Sequence, residues 1–195
     1  MRLLSLPSSR NRSNQRVSNF IAGSENMLLT GTPRVGKTTI IRKVISNIKR
    51  GCAGFYTEEM REGNQRVGFR LITLNHKDCI LSHKNIKSRH RVGKYGVNLE
   101  CIEHIGVTSI LEGIQKKRVI VIDEIGKMEL FSKNFQEVVI KALDSESPVL
   151  GTILFRPHPL CDKIKKREDV EIIEVTTENR DRLPDTIIEK LRQQR

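Results

Sequence analysis

The stretch Gly31-Thr32-Pro33-Arg34-Val35-Gly36-Lys37-Thr38-Thr39 constrains this chain more than any other. It satisfies G-x-x-x-x-G-K-[ST], a pattern whose small residues let successive backbone N–H groups curl around an anion. Lys37 supplies a point charge for terminal phosphates, and the Thr38 hydroxyl is a candidate Mg²⁺ ligand. Such a loop works only between a buried strand and the start of a helix. Met27, Leu28 and Leu29 provide the apolar strand. Ile40, Ile41, Val44, Ile45 and Ile48 recur on one face of a helix. Lys49, Arg50 and Gly51 read as that helix's end, positive charge followed by a glycine stop. A glycine-rich turn matching by accident would lack this flanking order, so Gly31 to Thr39 is expected to bind nucleotide.

A second signature lies downstream. Val119-Ile120-Val121-Ile122 is a continuous apolar run, as a strand covered on both faces would be, and it ends in Asp123-Glu124. Ligands of parallel sheets bind at the carboxyl ends of strands. Asp123 is therefore a candidate for the Mg²⁺ shell, and Glu124 for the general base that polarises an attacking water. Acids end many strands, so the pair gains its meaning from the loop at Gly31. Thr152, within Val-Leu-Gly-Thr-Ile-Leu, is a candidate sensor of the terminal phosphate or simply a buried β-former. Arg156 is a candidate for neutralising transition-state charge, with Arg61, Arg89 and Arg91 as competitors. Lys127 and Glu129 lie close enough to line the pocket, or to form an exterior ion pair. His158, between two prolines, reads as a turn residue.

Strand and helix patterns alternate after residue 118: a helix with Ser132 as N-cap and Phe135, Val138, Val139, Ala142 and Leu143 buried, a strand Val149 to Phe155, a short helix after Pro159, a strand Val170 to Val175, and a helix from about Asn179 to Leu191. That alternation argues for a parallel sheet covered on both faces. Upstream, Phe55, Thr57 and Glu59, then Arg66 to Leu74, flank Arg61-Glu62-Gly63-Asn64-Gln65 and read as a β-hairpin, with a strand near Cys79 to Ser82. The basic block Lys84, Lys87, Arg89, Arg91 and Lys94 reads as a mobile loop pivoting on Gly93 and Gly96. Ile105, Ile110, Leu111 and Ile114 suggest a helix ending at Lys116 to Arg118.

With 195 residues, 37% of them hydrophobic, one domain spanning 26–195 is expected. No apolar run reaches bilayer length, so no membrane partner is expected. Residues 1–25 are rich in serine and arginine and lack periodicity. They read as a disordered or loosely attached basic extension, ahead of a transit peptide or an over-long gene start with initiation at Met27. Cys52, Cys79, Cys101 and Cys161 show no metal-binding spacing and read as reduced thiols of a cytoplasmic protein. The net charge of +12 invites a polyanion, but a site for triphosphates needs positive potential of its own.

Several strings resemble one family. Gly-Phe-Tyr-Thr-Glu-Glu at 54–59, Arg-Val-Gly-Lys-Tyr-Gly-Val at 91–97, Val-Ile-Asp-Glu-Ile-Gly-Lys-Met-Glu-Leu-Phe-Ser at 121–132 and Val-Thr-Thr-Glu-Asn-Arg at 175–180 look like the THEP-type nucleoside-triphosphatases. The resemblance runs from about residue 26 to the end. It implies a RecA-like P-loop fold, with a mostly parallel sheet covered by helices and an inserted antiparallel hairpin. It implies Mg²⁺-dependent hydrolysis of ATP, GTP, CTP and UTP with little base preference. Phosphate binding is carried over to Gly31 to Thr38, and nucleotide contact to Val121, Ile122, Asp123, Glu124, Ile125, Gly126 and Lys127. The family's usual glycine is replaced by Arg34; a left-handed backbone there would cost about 1–2 kcal/mol, whereas an ordinary one would merely add charge.

Two other activities compete. A small-molecule or nucleotide kinase suits the size and the basic, lid-like block at 84–94. An ATP-gated nucleic-acid-binding protein would use that block and the tail, but two Tyr, six Phe and no Trp make a poor stacking platform. No string looks like a dedicated base-reading element, and a monomer is expected.

Overall fold

A computed structural model describes residues 26–48 and 51–193. The reading of residues 1–25, and of Lys49 and Arg50 as a helix end, falls outside the described residues. The described residues begin with β1 (Asn26–Thr30), buried along its whole length, and α1 (Lys37–Asn47). A meander follows: β2 (Cys52–Glu62), β3 (Gln65–Thr73), β4 (Asp78–His83), β5 (Arg91–Val92) and β6 (Tyr95–Val97). A π-helical turn, Cys101–Val107, runs straight into α2 (Thr108–Gln115). The remainder alternates: β7 (Val119–Ile125), α3 (Lys133–Leu143), β8 (Val149–Ile153), α4 (Pro159–Ile164), β9 (Val170–Glu174) and α5 (Leu183–Gln193).

The nine strands among the described residues join one sheet in the order β5-β6-β4-β3-β2-β7-β8-β1-β9. From β9 to β2 neighbours run parallel; from β2 to β5 they run antiparallel. The sheet is thus mixed, which corrects the expectation of a mostly parallel one. The reason is local. Glu62 and Gln65 are joined by Gly63-Asn64 alone, with Gly63 at φ 56°, and so short a link can only reverse the chain. The parallel strands, by contrast, are separated by helical crossovers.

Strand alternation divides the core into two layers. Met27, Leu29, Val119 and Val121 face α1 and α5, packing on Ile40, Ile41, Val44, Ile187 and Leu191. Leu28, Ile120 and Ile122 face the opposite side, with Phe55, Ile110, Phe135 and Val139. Ser132 caps α3, its hydroxyl accepting the Phe135 N–H at 3.1 Å. No helix among the described residues is long and apolar enough to cross a membrane.

Two expectations are overturned. The 84–96 block is not a mobile loop: β5 and β6 form a hairpin that extends the sheet, with Gly93 at φ 58° in its turn. Tyr95 and Val97 are buried, and the Tyr95 hydroxyl bonds Arg66. Gly96 is a packing glycine, since a Cβ there would lie 2.0 Å from the Ile86 carbonyl oxygen. Nor are all four cysteines thiols. Cys79 on β4 and Cys101 at the start of the π-helical turn form a disulfide across 22 residues, with Cα atoms 5.7 Å apart. β4 packs directly on that turn, a proximity their spacing does not encode. The cysteines therefore give no argument for a reducing compartment.

Gly54 tests how tightly β2 is held against β7. It sits at φ 103°, and a Cβ would come within 2.0 Å of the Val121 carbonyl oxygen. Gly54→Ala should lower stability by at least about 3 kcal/mol in urea unfolding. Gly63→Ala, at positive φ in open space, should lose only about 1 kcal/mol.

Candidate active site

The loop between β1 and α1 is shaped by two glycines that no other residue replaces without strain. Gly31 lies at φ 141°, and a Cβ would meet the Val175 carbonyl oxygen at 2.7 Å. Gly36, at φ 114°, precedes the first turn of α1 and accepts the Ile40 N–H at 3.0 Å. Thr32 and Pro33 are exposed, whereas Val35 is buried and ties the loop to the α1–α5 core. Lys37 folds back over the loop, its Nζ donating to the Gly31 carbonyl at 3.0 Å and the Thr32 carbonyl at 3.1 Å. With no acid in the first turn of α1, the positive end of its dipole stays uncompensated. Arg34 lies at φ 66°, the left-handed region, with its side chain exposed.

Facing the loop, β7 ends in Asp123 and Glu124, joined by a cis peptide, and its register to β8 shifts between Ile122 and Ile125. Asp123 is 2% exposed. Its Oδ1 accepts a 2.6 Å hydrogen bond from the Thr152 hydroxyl, while its buried Oδ2 has no partner. Burial pushes the Asp123 carboxyl up; the Thr152 and Thr38 hydroxyls and the Lys37 charge pull it back. Burial also raises Glu124, against the same Lys37. A third acid joins them. Glu129, 4% exposed, is raised to about 8 by burial and by the neighbouring Glu124 charge.

An unsatisfied buried carboxylate oxygen is costly unless a cation or donor meets it. Asp123 Oδ2, with the Thr38 hydroxyl nearby, is an all-oxygen donor set that fits Mg²⁺. No group of three or more His, Cys, Asp or Glu that could hold a metal occurs among the described residues. That suits an ion which takes one or two protein oxygens and completes its shell from phosphate and water.

Two adjoining cavities share Pro33, Lys37, Thr57, Phe69 and Glu124. The larger, about 820 Å³, is polar and is bordered by Arg34, Gly36, Thr38, Thr39, Asp123 and Thr152. The smaller, about 370 Å³, is mostly apolar and takes in Gly31, Lys127, Glu129 and Arg156. Val121, Ile122 and Ile125 are fully buried in the core, so their side chains support the strand rather than line the cleft. Gly126 is buried against the Glu124 and Glu129 side chains. Of the candidate arginines, Arg156 lines the cleft; Arg61 pairs with Glu59 at 2.9 Å and Arg91 bonds the Lys94 carbonyl.

Sequence reasoning missed several residues. Arg180 places its Cδ 3.7 Å from where a Gly36 Cβ would stand. Thr57, Phe69 and Arg66 enter the cleft from β2 and β3. Arg180 follows the carboxyl end of β9, and that position was the available signal; the residues on β2 and β3 carried none.

A family model described as NTPase matches residues 26–188. Nucleoside-triphosphatase THEP1 of Thermotoga maritima is 49% identical over 166 residues, spanning 85% of this chain and 95% of that protein. The crystal structure of THEP1 from Aquifex aeolicus superposes with a TM-score of 0.79 at 38% identity, covering 85% of this chain and 98% of the other. The solution structure of a human cancer-related nucleoside triphosphatase gives 0.77 at 37%, covering 87% and 98%.

Two predictions follow from these geometries. Glu129 ordinarily titrates near 4.5 and here near 8, so the folded chain holds a proton that the unfolded chain loses across that window. Its contribution to stability is full below pH 4.5 and falls as pH rises towards 8. Glu129→Gln should flatten that slope, exceeding wild type at pH 8 by at least about 1.4 kcal/mol in calorimetric unfolding; parallel pH curves would contradict the assignment. Arg34→Gly should relieve up to about 1 kcal/mol of left-handed strain and raise the melting temperature by about 2–4 °C.

Proposed function

We propose, from the premise that this chain belongs to the THEP1 nucleoside-triphosphatase family, how a RecA-like P-loop enzyme of this build performs its hydrolysis. The chain is a nucleoside-triphosphatase by that membership. Its substrates are ATP, GTP, CTP and UTP, converted to the diphosphate and phosphate. The observation that carries the reading is the confinement of Lys37, Asp123 and Glu124 to one cavity beside the glycine loop.

The backbone N–H groups from Gly31 to Thr38 and the start of α1 grip the phosphate chain. Lys37 turns from the Gly31 and Thr32 carbonyls to the terminal phosphates. Asp123 and Thr38 would hold Mg²⁺, which would neutralise phosphate charge when bound. Thr152 holds Asp123 by its 2.6 Å hydrogen bond, leaving the second carboxylate oxygen without a hydrogen-bond partner, as an oxygen that would take the ion. Glu124 takes a proton from the water that attacks the terminal phosphorus in line. Arg156, which lines the smaller cavity, offsets developing negative charge. The base lies towards the open polar side, where Arg42, Arg66, Glu58 and Glu59 offer no closed, shaped pocket. That accords with weak selectivity among bases. The enzyme acts as a monomer, and Mg²⁺ is its cofactor.

Phosphate release from each nucleotide by wild type and two variants tests the reading. Glu124→Gln should still bind nucleotide yet hydrolyse at least about 100-fold more slowly. Lys37→Ala should lose binding as well. Full activity in Glu124→Gln would remove Glu124 from the chemistry.

A further inference from the structure

The polar cavity accounts for a nucleotide; the apolar one beside it does not. Gly36, Thr38, Thr39, Asp123 and Thr152 border only the former. Lys37 and Glu124 border both, and these are the residues assigned to the terminal phosphate. Gly31 and Pro33 of the glycine loop border the apolar cavity as well, so it adjoins the phosphate end of the site. Water alone needs no such space: its walls include Phe69, Leu81, Val92, Met128, Leu154 and Phe155. Phe155 is 50% exposed, one of few large apolar side chains left so open among the described residues. Thr57, Lys127 and Arg156 break the apolar lining, as does the Glu129 carboxyl, 4% exposed and beside Glu124. An apolar cavity with a few convergent polar groups is the usual form of a small-molecule site.

We propose that this cavity is an acceptor site for a small alcohol with an apolar body, to which the chain transfers the terminal phosphoryl group in place of water. The inference rests on the position given above to the terminal phosphate. The alcohol's body lies between Phe69 and Phe155, and its hydroxyl meets Glu124 next to Lys37. The hydroxyl oxygen forms the new bond to phosphorus as its proton passes to Glu124. The bond from phosphorus to the bridging oxygen breaks, and its electron pair leaves with the nucleoside diphosphate. The products are that diphosphate, a phosphate monoester and one proton. Hydrolysis is the same displacement with water in the empty acceptor position, and the apolar walls favour an organic nucleophile over water there.

Benzyl alcohol is the probe. Phosphorus NMR of the full chain turning over MgATP should show benzyl phosphate beside free phosphate, with the ester fraction saturating as alcohol is raised. Phe155→Asp, at an exposed position, should lower the ratio of ester to free phosphate by about tenfold, the scale of discrimination by an apolar pocket. Val92→Trp, at another position lining the cavity, should lower it likewise. Free phosphate alone at every alcohol concentration would overturn the inference while leaving hydrolysis intact. An ester fraction unaltered in both variants would overturn the cavity's role. If no phosphate is released from MgATP without alcohol, the hydrolase mechanism itself fails, a separate result.

Discussion

Parallel pairing of β1 with β8, and of β8 with β7, decides where every chemical group in this molecule lies. It brings Leu29 level with Thr152 and Ile122 level with Gly151. The loop that leaves β1 and the acids that end β7 therefore emerge from the same edge, separated by one strand. That strand contributes Thr152, fully buried, whose hydroxyl reaches Asp123. β9 completes the arrangement from the other side, its following residue Val175 pressing its carbonyl towards Gly31. Any other order of these strands would part the phosphate loop from its acids.

The same edge concentrates an electrostatic burden. Asp123, Glu124 and Glu129 are all raised by burial, and only Lys37 among nearby cations opposes this at the first two. Buried carboxyls in contact weaken the resting fold and are retained where they serve chemistry. In the proposed reaction a cation and a triphosphate arriving together would supply the missing positive charge and the missing ligands. Binding should then stabilise this edge more than an exposed site would.

Much of this was legible because it is written in local spacing. Gly31, Gly36, Lys37 and Thr38 must fall at fixed intervals for the loop to close, and Asp123-Glu124 follow four apolar residues because a doubly covered strand requires them. Ser132 as a helix cap is equally local. What escaped notice depends on distant contacts. The Cys79–Cys101 disulfide and the β5–β6 hairpin arise from β4 docking on a helical turn and on β6, which no spacing announces. Arg34 left two possibilities open until its φ of 66° resolved them. By sequence Glu129 suits pocket lining or an exterior ion pair, and its burial beside Glu124 follows only from the fold of the Gly126 to Phe131 turn. Val121, Ile122 and Ile125, grouped with the nucleotide contacts by family likeness, have side chains in the core because both faces of the sheet are covered, Val121 packing on one side and Ile122 and Ile125 on the other.

The most direct measurement is a crystal structure of the chain with Mg²⁺ and a non-hydrolysable triphosphate. The account requires Asp123 in the ion's oxygen shell, Lys37 swung onto the outermost phosphate, and the Glu124 carboxylate hydrogen-bonded to a water in line with that phosphorus. A triphosphate seated away from Gly36, or a Glu124 carboxylate turned from the outermost phosphate with no water between them, would contradict it.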